Sequence, residues 1–436
     1  MALIFFINCH GFLTAFKDIP HMESKKEVII IGGGVIGLAC AHYLLERGAS
    51  VRIIERDGVG EGASHGNCGL LYFSDLIPLC APGAISHEIY RALCGTSPLY
   101  IKPTLDLTLL TWLIKFAAKC RPRTMRRTAA NKNEILHYSI GLFEQLLALP
   151  DMGCDFERTG ILTICNDPKN LNNLEGKNDF LKPFGMGYKS LERDELLEME
   201  PALKPSIAGG WHSTFDWHLR PDMLMTAWKK YLTRRGLIIE EHAKLLDFEI
   251  SGNTITHANT VQGKFAADAF ILATGAWAPK IAKQLGLHLP VQPGKGYSIT
   301  MERPGVCPEM PCVLYEKNMV VTPWTSGYRL GGTMEFSGYD TTLNSKRLAK
   351  LVTGATQYLK EPTGHPVIEE WAGFRPMTYD DMPIIDRSPA QENLVIATGH
   401  GMLGLTLATG TGKIVADMVY DKTPEINIGP FGLDRF

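Results

Sequence analysis

A glycine-rich segment near the start of the chain constrains its fold more than any other feature. Between Val28 and Arg56, an apolar run leads into consecutive glycines, a helical pattern and a second apolar run that ends in a carboxylate. In such a unit Gly32 permits the tight turn, Gly34 lets the backbone approach a pyrophosphate, and Gly37 allows the helix to pack on the sheet. The segment therefore predicts a strand–helix–strand unit that binds a dinucleotide.

Glu55, at the end of the second predicted strand, limits the kinds of dinucleotide that can bind. A carboxylate here accepts hydrogen bonds from an adenosine ribose, and its charge disfavours a 2′-phosphate. FAD, NAD and other adenosine dinucleotides all remain compatible with the motif. The residues expected to contact the dinucleotide in this unit are Gly32, Gly34, Val35, Ile36, Gly37, Glu55 and Arg56.

Length and composition limit the number of domains and the kinds of partner that the chain can have. The 436 residues are too many for one ordinary core and predict about two or three domains. With 44 basic and 46 acidic side chains the charge is nearly balanced, which gives no reason to expect nucleic acid as a partner. The 10 cysteines form no CxxC pair. No metal site is therefore predicted, and reduced thiols in the cytoplasm are the simplest interpretation.

The N-terminal segment needs separate treatment. It is apolar, but it lacks a preceding basic region and a following small-residue cleavage site, and it is too short to span a bilayer. Met22 stands just ahead of the first strand and would make a natural start. We therefore interpret residues 1–21 as an extension outside the fold.

Two later segments are suited to approach the same ligand. The loop from Glu61 to Leu71 is rich in small residues and offers Ser64 and Asn67 to a planar cofactor. Farther along, an apolar strand runs into Thr274 and Gly275, whose backbone amides can meet the dinucleotide. Each segment alone also fits an ordinary surface loop or a plain strand–turn–helix.

A third segment near the C-terminus combines a strand, a glycine turn and a helix. Backbone amides near the start of such a helix present positive potential, which would stabilise the negative charge that a reduced flavin develops. A membrane segment or a buried core helix is the alternative, and Lys413 and Asp417 disfavour the membrane. The contact residues expected here are Gly399, His400, Gly401, Leu403, Gly404, Leu405 and Thr406.

Together, the motifs GGGVIG, GASHGNCG, ILATGAW, GFRPMT and ATGHGMLGLT resemble the FAD-dependent D-amino acid dehydrogenases, over about Val28 to Asp417. These belong to a wider group with glycine oxidase and sarcosine oxidase, and PGKGYSIT is also similar to the hydroxy-D-proline dehydrogenases. The resemblance implies an α/β fold, in which a doubly wound FAD-binding Rossmann-type domain is interleaved with an antiparallel-sheet α+β substrate domain. The expected FAD-binding domain comprises residues 22–95, 219–290 and 371–428, and the substrate-binding domain residues 96–218 and 291–370.

The resemblance also implies a reaction and its residues. FAD, bound noncovalently, would take a hydride from the Cα of a neutral amino acid, leaving an imine that water converts to a 2-oxo acid and ammonia. Arg375 would bind the substrate carboxylate through bidentate hydrogen bonds. Its alternative role is a structural salt bridge. Lys295 and Tyr297 would shape the pocket and His400 would border the flavin, although ordinary packing explains these three equally well.

Several positions depart from the family pattern. Tyr379, Asp381 and Asp386 replace the usual residues of a proline- and glycine-rich turn, which leaves the local geometry and the substrate range open. His65 lies where some related enzymes attach flavin covalently, so covalent linkage remains an alternative. No second dinucleotide motif follows, and the electrons must therefore come from the substrate.

The acceptor of those electrons is indicated by a segment that combines apolar and basic residues. A basic amphipathic helix can lie on an anionic membrane, which would make the protein peripheral on the inner membrane. The resemblance to respiratory dehydrogenases implies that such a helix delivers electrons to a quinone. The alternative is an internal helix whose basic end lies in water. The apolar residues are Leu109, Leu110, Trp112, Leu113 and Phe116, and the basic ones are Lys119, Arg121, Arg123, Arg126 and Arg127.

Two other functions stay open from the sequence. One is an oxidase of glycine or sarcosine that passes electrons to oxygen and releases peroxide. The other is a flavin-binding subunit with no turnover of its own.

Overall fold

The computed structural model describes residues 25–86, 88, 99–103 and 105–436. The expected N-terminal extension, residues 1–21, lies outside the described residues. In chain order the helices are α1 (Val35–Glu46), α2 (Leu107–Lys119), α3 (Pro122–Leu147), α4 (Pro168–Leu181), α5 (Arg193–Met199), α6 (Pro221–Arg234), α7 (Ala278–Ala282), α8 (Ser345–Ala355) and α9 (Ala408–Val419). No helix in these ranges is long and apolar enough to cross a bilayer.

A six-stranded sheet contains the glycine-rich unit. Its strands, in spatial order, are β19 (Ile384–Arg387), β20 (Leu394–Thr398), β13 (Ala269–Leu272), β1 (Glu27–Ile31), β2 (Ser50–Ile54) and β9 (Ile238–Glu240). All neighbours pair in parallel except β19 with β20. The sequence predicts this because β1 is apolar on both faces, as a strand covered from two sides must be.

The two faces of that sheet belong to separate cores. Val28 and Ile30 point into a large core with α1, α3, α6 and α9. Ile29 and Ile31 point to the opposite side, where they pack with α7 and with a three-stranded sheet. That small sheet contains β10 (Leu245–Ser251), β11 (Thr254–Thr260) and β12 (Gly263–Ala266).

A nine-stranded, mostly antiparallel sheet forms the second layer. Its main path runs β18 (Val367–Thr378), β14 (Val291–Met301), β17 (Gly327–Phe336), β16 (Met319–Trp324), β15 (Cys312–Leu314), β5 (Ile161–Cys165), β7 (Gly209–Ser213) and β6 (Lys189–Glu192). The ninth strand, β4 (Leu99–Ile101), pairs with β17. A two-stranded ribbon of β3 (Leu70–Leu71) and β8 (Trp217–His218) joins the layers.

Strand β18 and helix α9 fall wholly or partly within the last expected FAD-binding segment, residues 371–428. The expected start of the last FAD-binding segment, residue 371, falls inside β18, which pairs with β14 along almost its whole length. Residues 371–378 therefore extend the large sheet. The C-terminal helix α9 begins at Ala408, and the glycines before it form a turn in which the Leu403 N–H donates to the His400 carbonyl.

Candidate active site

A cavity of about 2380 Å³ lies between the two large sheets. Ordinary ligand pockets measure roughly 300–1,000 Å³, so this one has room for a dinucleotide and a substrate together. Most residues predicted to contact the cofactor line it: Gly32, Gly34, Val35, Ile36, Glu55, Arg56, Ser64, Asn67, Thr274, Gly275, His400, Gly401, Leu403, Gly404 and Leu405. Arg375 and Tyr297 line it as well.

The glycines of the first turn are required by close contacts. Gly32 has φ +109°, and a Cβ added there would lie 2.5 Å from the carbonyl oxygen of Ala273. A Cβ at Gly37 would lie 2.0 Å from the Gly32 carbonyl oxygen, so this glycine lets α1 pack on the turn. It does not line the cavity, and its role in binding is indirect.

Glu55 is held at the cavity wall by the backbone around it. One carboxylate oxygen accepts the Gly33 N–H at 2.6 Å and the other accepts the Asp57 N–H at 3.0 Å. Beside it, the Arg56 guanidinium lies 4.4 Å from the ring centroid of Trp277. This end of the cavity therefore combines an oriented acid with a flat cationic and aromatic surface, which suits an adenosine.

The loop after β2 is tied to the same unit. The Ser64 hydroxyl accepts the Val35 N–H at 2.9 Å, and Asn67 donates to the Ser64 carbonyl at 3.0 Å. At the end of β13, the Thr274 hydroxyl oxygen is buried without a hydrogen-bond partner in the described part of the chain. Since buried polar groups are normally bonded, this hydroxyl fits a ligand with polar groups, such as a dinucleotide.

The turn before α9 offers backbone donors to the other end of the cavity. Among the ranges described, the N–H groups of Gly404, Leu405 and Thr406 donate no hydrogen bond within the protein. They are therefore available to an anionic group, as the sequence predicts. The Thr406 side chain does not line the cavity, because its hydroxyl accepts the Tyr72 N–H at 3.1 Å. Gly399 also lies behind the lining, with φ +74°.

Arg375 is a cavity-lining arginine on β18, and burial lowers the pKa of its guanidinium. Its Nη1 donates to the Thr333 carbonyl at 3.1 Å, and no carboxylate of the described residues pairs with it. A Cβ at Gly296 would lie 2.2 Å from Nη1, so glycine on the adjacent strand makes room for the guanidinium. The alternative role in a structural salt bridge finds no partner in the ranges described, whereas an anionic ligand would supply one.

Thr333, whose carbonyl accepts the hydrogen bond from Arg375, has an unusual backbone conformation. Thr333 has φ +63°, a conformation that β-branched residues rarely adopt, and its hydroxyl is buried without a partner among the described residues. Such strain clusters at ligand sites, where the surrounding structure holds it in place. The backbone of β17 is thus shaped to present a carbonyl to the guanidinium.

Of the other pocket candidates, one lies outside the lining. Tyr297 lines the cavity, and its hydroxyl donates to Glu335 at 3.1 Å. Lys295 lies outside the lining, because its ammonium donates to the Thr342 carbonyl, and its role in shaping the pocket stays a prediction. His400 lines the cavity with its ring 3.0 Å from the Thr411 hydroxyl, and burial lowers its pKa to about 3, which keeps the ring neutral.

His65 is engaged away from the cavity. Its Nε2 lies 2.9 Å from a carboxylate oxygen of Glu369, and it is not among the lining residues, which disfavours covalent flavin attachment there. The hydrogen bond between them raises the pKa of His65 and lowers that of Glu369. The ion pair therefore stabilises the loop fully at pH values below the ordinary pKa of histidine. This stabilisation is lost as the pH rises through the raised pKa of His65.

The departures from the family turn have structural partners. Asp381 accepts from Lys132 at 3.2 Å and from the Leu79 N–H at 3.1 Å. These bonds hold the segment around Leu79, which lines the cavity. Asp386 accepts the Leu433 N–H at 2.7 Å. The Tyr379 ring packs edge-on against Phe436.

Sequence reasoning missed several lining residues. Tyr72 and Asp75 follow the small-residue loop, whereas Thr163 and Tyr188 come from distant strands and turns. The only available signal was polar residues interrupting apolar runs, which is also typical of surface positions. Trp277 stands directly after the ATG turn and could have been found by its position.

Residues 27–418 match the model of a family described as FAD-dependent oxidoreductase. The chain therefore belongs to this family of enzymes, and the prediction of FAD as cofactor is confirmed. Its relatives include proteins named D-amino acid dehydrogenase from Neisseria meningitidis and Vibrio atlanticus. Each is 30% identical over 420 residues, which cover 94% of this chain and 99% or 100% of the relative.

Solved structures confirm the predicted fold class. Glycine oxidase from Geobacillus kaustophilus has a TM-score of 0.75 with 23% identity, covering 94% of this chain and 100% of that one. L-Proline dehydrogenase from P. horikoshii has a TM-score of 0.70 with 20% identity, covering 94% and 96%.

The position of Glu55 leads to a cofactor prediction. Replacing Glu55 with alanine should weaken FAD binding by about 1–3 kcal/mol, because hydrogen bonds from the ribose to a charged acceptor are lost. Titration of apoprotein with FAD measures the change, and Glu27→Ala at the exposed start of β1 is the matched control. Equal affinity in the wild type and Glu55→Ala would contradict the assignment.

Proposed function

We propose that this enzyme oxidises D-amino acids, including cyclic D-imino acids, to the imine that water converts to a 2-oxo acid. When bound, FAD accepts the hydride from Cα. The observation that carries the proposal is the half-buried Arg375, which lines the cavity without a carboxylate partner in the described chain. Two parallel N–H groups of its fork would bind the substrate carboxylate.

The protein's contribution is orientation. Arg375 fixes the carboxylate, and the wall around Tyr297 and Trp371 limits where the rest of the substrate can lie. The substrate binds with its amine neutral, so no strong base is required, and positioning supplies much of the acceleration. The neutral His400 leaves the anion-binding turn without a competing side-chain charge.

For the cofactor we propose noncovalent attachment. No lining residue is a histidine in the loop after β2, since His65 pairs with Glu369. Acid precipitation of the purified yellow protein should release FAD into the supernatant. Yellow colour kept in the washed pellet would contradict this proposal.

The acceptor and the substrate range are tested in one assay series. A panel of D- and L-amino acids, proline derivatives, glycine and sarcosine is supplied either with an artificial dye or with oxygen alone. We expect dye or quinone reduction with D-substrates and little peroxide. Fast peroxide release with glycine or sarcosine would instead identify an oxidase, and no turnover with any substrate would identify a flavin-binding subunit.

We propose that the acceptor is a membrane quinone, which reaches the cavity from an exposed apolar surface on and beside α2. This acceptor face consists of Leu105, Leu107, Leu110 and Ile114, whose exposed fractions run from 53% to 104%. Leu107, Leu110 and Ile114 share one side of the helix by their spacing. Of the residues first expected there, Leu109 and Trp112 instead pack inward against Phe336, so helix α2 is apolar on two sides.

Charge and cavity position support the same occupant. Exposed Arg121, Arg123, Arg126 and Arg127 follow directly after the acceptor face, and such a basic cluster attracts anionic lipids. Ile114 also lines the cavity, together with Leu113 and Phe116 of the same helix. A hydrophobic acceptor in a bilayer would thus have an apolar route toward the flavin.

Vesicle flotation tests this surface. Wild-type protein should float with vesicles containing anionic lipid and detach at high salt, because each basic residue near the surface contributes about 1 kcal/mol. The double variant Leu107→Glu/Leu110→Glu should stay unbound yet reduce a water-soluble dye normally. The control Leu246→Glu changes a comparably exposed leucine, 48% exposed on β10, and should float. Flotation of the double variant equal to the wild type would refute the acceptor face.

A further inference from the structure

One cavity-lining carboxylate has no assigned role. Asp75 lines the cavity and is half-buried, and no side-chain hydrogen bond or ion pair of Asp75 is formed within the described residues. The acids around it differ. Asp381 holds Lys132 at 3.2 Å, and Asp216 accepts the Ser74 N–H at 2.9 Å. Of these three acids, Asp75 is the one that lines the cavity, and its carboxylate has no hydrogen-bond partner among the described residues.

The surroundings of Asp75 form one polar region of the cavity wall, here called the polar arm and defined by Tyr72, Asp75, Thr163, Lys177 and Tyr188. These residues come from three separate parts of the chain and meet at the cavity wall. Tyr188 lies 2.9 Å from the Ser74 hydroxyl, directly beside Asp75 in the chain. The Lys177 ammonium lies over the ring of Tyr315, 4.9 Å from its centroid, and forms no ion pair with Asp75 among the described residues.

The polar arm lies beside the turn before α9, at the end of the cavity that offers the unpaired backbone donors. The Tyr72 N–H donates to the Thr406 hydroxyl at 3.1 Å, next to the turn with the unpaired backbone donors. Asp381 ties the segment after Asp75 to the same region through the Leu79 N–H. The backbone is therefore held on both sides of Asp75.

A carboxylate enclosed without a partner is costly, and burial raises the pKa of Asp75. The charges of Lys132 and Lys177 oppose this increase in the pKa, and the charge of Asp381 adds to it; the Lys132 ammonium is hydrogen-bonded to Asp381. A ligand that brings a hydrogen-bond donor would remove the cost. A site with such an acceptor also discriminates strongly against ligands that lack the donor.

We propose that Asp75 recognises a hydrogen-bond donor on the side chain or ring of the substrate, and that the enzyme prefers D-amino acids carrying one. This inference rests on the proposed function. The donor is a hydroxyl or an ammonium group, since either can bond to a carboxylate. Arg375 and Asp75 then divide the substrate between them, the first binding its carboxylate and the second its distal polar group.

Matched substrate pairs test the proposal. D-Ornithine is compared with D-norvaline, and cis-4-hydroxy-D-proline with D-proline, because each pair differs mainly in the donor. In the wild type, kcat/KM should favour the donor-bearing member of at least one pair by about 10- to 100-fold. Asp75→Leu should bring that ratio close to one while the apolar substrate is still oxidised.

A second variant identifies the donor and keeps the test valid if leucine disturbs folding. Asp75→Asn retains an acceptor but loses the charge, so it should abolish a preference for ornithine and keep part of a preference for hydroxyproline. The control is Asp167→Asn, because Asp167 also lines the cavity but accepts the Lys169 N–H at 3.0 Å and caps α4. Its substrate ratios should equal those of the wild type.

The outcomes separate the two levels of the argument. If the wild type oxidises D-norvaline and D-proline without favouring either donor-bearing partner, the role of Asp75 is refuted and the proposed function stands. The same holds if both Asp75 variants keep the wild-type ratios. If no D-amino acid is oxidised, the proposed function itself fails.

Discussion

Replacing Arg375 with alanine should lower kcat/KM for a D-amino acid by roughly 2–5 kcal/mol, or about 30- to 5,000-fold, while FAD stays bound. The reason is that the substrate carboxylate would lose the proposed contact with the guanidinium that lines the cavity beside Thr333. Arg375→Lys should lose part of this, because an ammonium keeps the charge but not the fork. Stopped-flow flavin reduction at saturating and limiting substrate measures both variants.

Two controls make the Arg375 result specific. An amine without a carboxylate should react equally slowly with wild type and Arg375→Ala. The buried Arg329 donates to the Asn67 carbonyl at 2.7 Å and lies 3.7 Å from Asp222. Replacing Arg329 should loosen the cofactor loop and FAD before it affects the choice of substrate. Equal D-amino acid oxidation by wild type and Arg375→Ala would refute the carboxylate assignment.

Gly32→Ala should be the most damaging change in the cofactor site. The added Cβ meets the Ala273 carbonyl oxygen at 2.5 Å on a backbone with φ +109°. Conformational strain and overpacking together cost roughly 2–5 kcal/mol, which should appear as lost FAD and a lower midpoint of thermal unfolding. Flavin absorbance after gel filtration and a thermal melt measure the two effects.

The control for Gly32 is a second glycine with positive φ. Gly48 has φ +82°, but nothing lies within 4 Å of a Cβ built there. Gly48→Ala should therefore cost only the strain, about 1 kcal/mol, and FAD should remain bound. If both variants keep FAD equally, the close approach of β1 and β13 is not needed for binding.

The parts of the molecule that the sequence predicts are those encoded locally. The turn at Gly32, helix α1 and Glu55 lie within one short stretch, where apolar periodicity and glycine positions determine the geometry. The family resemblance located Arg375, because the residues around it are contiguous on β18. The turn before α9 was also found, although the helix itself begins three residues after Leu405.

The parts that the sequence does not predict depend on long-range packing. Lys295 and Tyr297 are neighbours on β14, but only the tyrosine lines the cavity, because Thr342 from a distant loop binds the lysine. Asp381 receives a lysine partner from tertiary structure, whereas Asp75 has no such partner among the described residues. The sequence likewise does not show which face of α2 packs inward and which is exposed, because both faces are apolar.

The most direct test of the central claim is the flavin absorbance of wild-type enzyme mixed anaerobically with either enantiomer of one amino acid. We predict rapid bleaching with the D-enantiomer and a negligible change with the L-enantiomer, because only the D-form can bind its carboxylate to Arg375 and still direct its Cα hydrogen at the flavin. Bleaching by the L-enantiomer and not the D-enantiomer, or by neither across the amino acid panel, would contradict the account.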